Sequence, residues 1–160
     1  MSTKIDVKPE LENELVICRL IEASPEKIFR AWTDPKLMKE WFCPKPWTIA
    51  KAETDVRPGG RSLIVMRSPE GQEFPNEGVY LEVIPNRKIV FTDAYTSAWI
   101  PSGKPFFTAI VEMEPQGDKT KYTARARHWN KADRDQHAQM GFEEGWGACA
   151  DQLEELVKKL

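Results

Sequence analysis

The feature that most limits what this chain can fold into lies between residues 47 and 129. Strand-like runs follow one another there: "WTIAKAETDV", "RSLIVMR", "GVYLEVI", "KIVFTDAY", "FFTAIVEME" and "KYTARARHW". Most are separated by tight turns, "RPGG" at 57–60, "SPEG" at 68–71, "PNRK" at 85–88 and "PQGD" at 115–118. Connections this short join antiparallel neighbours, since a parallel crossover needs about a dozen residues or more. The stretch "TSAWIPSGKP", 96–105, is longer and more aromatic than a hairpin requires. With "ELVICRLIEA" at 14–23 as a first strand, the expectation is about seven antiparallel strands. In "KYTARARH" the residues Lys121, Thr123, Arg125 and Arg127 point one way, and Tyr122, Ala124, Ala126 and His128 the other. One face of the sheet is wet, and the other has to be covered.

Two helical stretches are available as cover. In "SPEKIFRAWTDPKLMKEWF" both Ser24-Pro25 and Asp34-Pro35 pair an N-cap residue with a proline at the first helical position. The second proline divides the stretch into two short helices. Residues 134–160 read as one long C-terminal helix. At 100° per residue Phe142, Trp146, Cys149, Leu153, Leu156, Val157 and Leu160 share one apolar stripe. Its start, "MGFEEGWG", holds Gly141, Gly145 and Gly147, although a helix-interior glycine costs roughly 1 kcal/mol relative to alanine. Two roles fit: close backbone approach, or space left beneath the helix. Residues 1–13 are polar and read as a flexible tail ahead of a single domain over 14–160.

The 25 acidic and 23 basic residues give a net charge of −2, without the basic surplus of a nucleic-acid binder. No apolar run approaches the roughly 18 residues of a membrane span, and the first residues carry no apolar signal region. A cytoplasmic protein is expected. Cys18, Cys43 and Cys149 are odd in number and form no CxxC pair, so they read as reduced thiols. Lys39 and Lys45 near Cys43 favour a lowered thiol pKa there, but nothing supplies a base. There is no Ser/His/Asp order, no GxSxG and no defensible carboxylate pair. "RPGG" lacks the lysine and following helix of a phosphate loop. The two histidines, with no third spaced ligand, leave metal and cofactor unexpected. His128 falls on the covered face. His137 lies about 140° from the apolar stripe of a regular helix and turns inward only if the helix kinks or starts late. Structural packing, contact with a ligand, or acid/base work with Asp93 or Glu144 all remain open for the pair. The row from Lys121 to Arg127 reads as a solvated face, with Glu112 and Glu114 pairing from the preceding strand.

Four stretches in this order, "AWTDPKLMKEWF", "DVRPGGRSLIVMRSPEGQEF", "GVYLEVIPNRKIVFTDAY" and "HAQMGFEEGWGACADQLEEL", resemble the activator-of-heat-shock-ATPase-homologue-like branch of the SRPBCC (START-like) superfamily. The likeness runs from about residue 14 to the C-terminus. It implies an α+β helix-grip fold: a curved antiparallel sheet, two short helices after its first strand, and a long C-terminal helix over an apolar cavity. It also implies non-catalytic binding of a small hydrophobic or aromatic molecule in that cavity. Cyclase- or hydrolase-type turnover there, and an interaction module serving a heat-shock ATPase, are the alternatives. The co-chaperone that gives the branch its name carries a further domain that these motifs do not include, and fold alone does not transfer its role. Placed on this fold, the residues expected around a ligand are Trp32, Trp41, Phe42 and Trp47 from the helices and the segment after them. The strands and their turns contribute Arg57, Met66, Phe91, Phe107, Tyr122, His128 and Trp129, and the 96–105 loop contributes Trp99. His137, Met140, Gly141, Gly145 and Trp146 complete the set from the start of the closing helix. For any one aromatic, plain core packing is the competing reading.

Overall fold

A computed structural model describes residues 2–160 of the chain. The sheet order is β1-β2-β10-β9-β6-β5-β4-β3, antiparallel throughout. Its strands are β1 (Thr3–Lys4), β2 (Glu14–Ile21), β3 (Thr48–Thr54), β4 (Arg61–Arg67), β5 (Glu73–Ile84) and β6 (Lys88–Thr92), then β9 (Phe107–Gln116) and β10 (Lys119–His128). Two residues each from Tyr95–Thr96 (β7) and Ile100–Pro101 (β8) pair separately, in the long loop. All seven expected strands are present. The eighth comes from the segment expected as a loose tail. Thr3 and Lys4 pair with Leu20 and Arg19, and the Ser2 amide and hydroxyl both donate to Asp151 Oδ1, at 2.8 and 2.7 Å. Thr3 and Lys4 can be polar because an edge strand is held by its backbone and needs no apolar side chains.

Helices α1 (Pro25–Thr33) and α2 (Pro35–Met38) follow β2 as expected. Asp34 ends α1 in extended backbone and caps α2, its Oδ1 accepting from the Lys36 amide at 2.9 Å. The chain beyond α2 folds back on α1, where Trp41 Nε1 donates to the Ala31 carbonyl at 3.0 Å. The closing element differs from the single helix expected over 134–160. It is two helices, α3 (Lys131–Gln139) and α4 (Phe142–Val157), broken at Met140–Gly141. Gly141 has φ +92°, a left-handed conformation that redirects the chain and that glycine alone adopts at little cost. Asn130 starts α3, its Oδ1 accepting from the Asp133 amide at 2.8 Å.

The concave face of the sheet, α1 and α4 enclose one continuous core. On the middle strands its floor is small: Ala126 pairs with Ala109, Ala124 with Val111, and all three alanines are fully buried. Large rings from above fill the volume the alanines leave, chiefly Trp32, Trp41 and Phe142. Burying a side chain of this size contributes about 1.5–3 kcal/mol. A second cluster of Met38, Cys43, Ile49 and Ile64 lies under α2. On the opposite face the expected row of cations has a stronger partner than Glu112. The fully buried Glu14 accepts from Arg125 and Arg127 at 2.7 and 2.8 Å, while Glu112 is 3.9 Å from Arg125. Burial alone would raise the Glu14 pKa, but bonds from Arg127, the Glu10 amide and Arg125 outweigh it and hold the carboxyl below its usual range.

The three glycines at the start of α4 differ in cause. Gly141 is set by its left-handed backbone. A methyl at Gly147 would sit 2.9 Å from an Arg19 guanidinium nitrogen, so that glycine accommodates a close neighbour. A methyl at Gly145 would meet Pro44 Cγ at 3.9 Å, an ordinary contact distance, so packing does not require a glycine there. Gly145→Ala is therefore expected to stabilise the fold by about 0.5–1 kcal/mol. Gly141→Ala should destabilise it by about 1–2 kcal/mol. Urea unfolding midpoints of the two variants against wild type decide both.

Candidate functional site

The break at Gly141 has its main consequence one turn earlier. It lets α3 lean on the end of the sheet, where His137, off the stripe of a continuous helix, is only 8% exposed. Its Nδ1 lies 2.8 Å from Nε2 of His128, the last residue of β10. His128 is held in turn by Asn13. The Asn13 carbonyl accepts from the His128 amide at 2.9 Å and faces His128 Nδ1 at 3.0 Å, while the Asn13 side chain donates to the His128 carbonyl. The histidine pair thus joins the chain before β2, the end of β10 and α3.

Aromatic rings wall the pair. Phe106, Phe107 and Phe142 stand 4.8, 5.3 and 5.1 Å from the His137 ring, centre to centre. Trp146 stacks on Phe142 at 4.9 Å and meets Phe107 edge-on at 5.9 Å. Burial, followed by the nearby His128, draws the His137 pKa down to about 4. Asp93 sits beside this group as an anchor for the long loop, its Oδ1 accepting from the amides of Phe106 and Phe107 at 2.8 and 3.3 Å. Burial raises its pKa, against the pull of those bonds and of His128.

A second aromatic group lies deeper in the core. Trp32 packs edge-on against Trp41 and Phe42, at 5.0 and 5.3 Å, and tilts over Phe91 at 5.8 Å. Its indole N–H donates to the buried Tyr122 hydroxyl at 3.1 Å. Gln152 of α4 fastens the neighbouring segment: its side-chain nitrogen donates to the carbonyls of Trp41 and Cys43, at 2.9 and 2.8 Å, and its oxygen accepts from the Lys45 amide at 3.1 Å.

The structure therefore gathers Phe107, His128, His137 and Trp146 at one end of the sheet–helix space, and Trp32, Trp41, Phe42, Phe91 and Tyr122 further in. Gly141 and Gly145 shape the helix above them. The other expected residues lie elsewhere. Trp47 tilts against Phe74 at 5.6 Å near the sheet edge, and Met66 packs on the cluster under α2. Arg57 is exposed and paired with Asp55 at 2.8 Å. Trp99, Trp129 and Met140 are exposed, the first resting its ring on Gly59. Trp129 follows the last strand residue and so leaves the alternation that buries His128. At Cys43 burial pushes the thiol pKa up, opposite to the expected influence of Lys39 and Lys45. Sequence reasoning missed Asn13, Phe106 and the ring of Phe142 as parts of the site. The doublet Phe106-Phe107 beside a strand end was the available signal; Asn13 gave none.

Two open depressions lie outside this space. One, of about 580 Å³, is lined by Cys43, Pro46 and Trp47 beside α2. The other, of about 550 Å³, lies on the charged face of the sheet near Arg125. No group of three or more potential metal ligands gathers among the described residues, and none of their helices is long and apolar enough to cross a membrane.

A curved antiparallel sheet closed by a C-terminal helix over an aromatic interior is the helix-grip architecture. Residues 22–158 match the family described as "Activator of Hsp90 ATPase homolog 1-like protein", and the chain belongs to that family. Among solved structures it is similar to the protein NE0264 from Nitrosomonas europaea, with 40% identity and a TM-score of 0.91 over 94% of this chain and 97% of that one. Its fold is also that of a protein from Arthrobacter aurescens, with 20% identity and a TM-score of 0.81 over 98% and 92% of the two chains. Ms6760 from Mycobacterium smegmatis, with 23% identity and a TM-score of 0.77, shares it over 96% of each chain. No curated protein matches the chain.

The lowered His137 pKa gives a stability prediction. The unfolded imidazole, with a pKa of about 6.5, takes a proton before the folded one does. Stability from this group is therefore complete above about pH 6.5 and lost as pH falls toward the folded value of about 4. Between pH 7 and pH 5 it should cost the wild type on the order of 1–2 kcal/mol. The same step should cost a His137→Gln variant less, as read from urea midpoints at the two pH values.

Proposed function

We propose that this protein is a non-catalytic binder of a small hydrophobic or aromatic molecule, seated between the concave sheet and the first turns of α4. The observation that carries this reading is the make-up of the layer between them: small alanines on the sheet, Ala109, Ala124 and Ala126, beneath aromatic rings that fill the volume they leave and that a ligand would displace, with a histidine pair at the sheet end. Ligand sites of this kind combine mostly apolar lining with a few placed polar groups. The rings at the mouth, Phe107 and Trp146, are half-buried and come from a strand end and a helix start. Each can turn about two side-chain bonds, and a ligand ring would replace the contacts it gives up. Asp93 supports binding over turnover, since one of its oxygens is committed to holding the loop.

The reading is tested by thermal unfolding with a panel of lipids and aromatic compounds. A true ligand at 100 times its Kd stabilises by about 2.7 kcal/mol, roughly 5–10 °C for a chain of this size. Trp146→Ala, which removes a half-buried ring from the proposed wall, should reduce that shift. A panel that moves the wild-type midpoint nowhere overturns the reading.

A further inference from the structure

Proton positions along Asn13, His128 and His137 follow from one fixed acceptor. The Asn13 carbonyl can only accept, so His128 Nδ1, 3.0 Å from it, carries the proton. In the neutral ring Nε2 is then the lone-pair nitrogen. It faces His137 Nδ1 at 2.8 Å, and that nitrogen has to donate. The same rule leaves His137 Nε2 without a proton. No described residue donates to it, while the ring is 8% exposed and walled by Phe106, Phe107 and Phe142. Burial holds its pKa down to about 4, so near neutral pH no second proton occupies the lone pair.

Among the described residues Arg125 Nε is the one buried side-chain polar atom without a partner, so His137 Nε2 keeps contact with water at the edge of the aromatic wall, an acceptor that a bound molecule would cover. We infer that the molecule taken up here carries a hydroxyl or N–H donor on an apolar aromatic body, and that His137 Nε2 receives that hydrogen bond. This rests on the binding reading above and narrows it to a ligand class. A carboxylate or ketone would set its oxygen lone pairs against that of the nitrogen. A bare hydrocarbon would seal the nitrogen from water with no partner, the outcome that buried polar groups penalise most. Sites built around a hydrogen bond reject analogues that lack it far more strongly than apolar pockets reject a change of size.

Isothermal titration with three compounds of one shape provides the test: 2-naphthol, 2-methoxynaphthalene and 2-naphthoate. For the wild type, 2-naphthol should bind roughly tenfold tighter than the methyl ether, and the carboxylate weakest. In a His137→Phe variant, which keeps an aromatic ring in place, the naphthol advantage should shrink to about twofold or less while the ether still binds. Equal binding of naphthol and ether by the wild type overturns the donor inference and leaves the binding reading standing. So does a naphthol preference that survives in His137→Phe. If none of the three binds, both the pocket reading and the ligand class fall together. Nitrogen-15 spectra of the free wild-type protein give a check that needs no variant and no ligand. The His137 Nε2 resonance is expected in the unprotonated range, and a protonated Nε2 overturns the proposal.

Discussion

An eight-stranded antiparallel sheet with one apolar face presents more surface than one helix can cover. At roughly 4.8 Å between strands the sheet's seven gaps span about 34 Å, whereas a helix with its side chains is about 10–12 Å across. Helix α4 therefore covers a band and leaves flanks, and the rest of the architecture answers that shortage. On one flank α1 and the segment after α2 bring in Trp32, Trp41 and Phe42. Toward the end of the sheet the chain spends α3 and the Phe106–Phe107 pair. The small alanines of the middle strands fit this plan, because rings arriving from several directions need depth beneath them.

Much of this was legible before any coordinates. The strand runs, their turns and the two proline-initiated helices are local signals, and each reports a local requirement: backbone pairing, a turn conformation, a cap. Four motifs in order carried the fold. What escaped reading depends on contacts between distant residues. Asn13 matters because it meets His128, 115 residues away, and no local pattern marks such a meeting. Glu14 opens the first strand with nothing local to mark it, yet it is the buried centre of the charged face. Met140 and Trp129, expected around the ligand, lie exposed, because each sits just past the end of an element, where its periodicity stops.

The glycines show how far a single sequence can be pushed. Three in seven residues signalled something unusual, and they are three different devices. One redirects the backbone, one makes way for a guanidinium, and one is not required by its neighbours. Only Gly141 alters the topology of the site, because without the break His137 would not meet His128. The inward turn of that histidine was foreseeable as a condition on a kink, and the kink itself only from coordinates.

The three hydrogen bonds made by Gln152 have a mechanical consequence. They weld residues 41–45 to α4 through main-chain atoms on both sides of Pro44, so helix and segment form one rigid slab. A slab fastened in this way cannot peel back one side chain at a time; it tilts as a piece. The compliant point nearest it is the two-residue joint at Met140–Gly141, where no helical ladder continues between α3 and α4. The corner beside the histidines is held instead by side chains, His137 on His128 and the phenylalanine rings, whereas the tryptophan end is fastened through main-chain atoms.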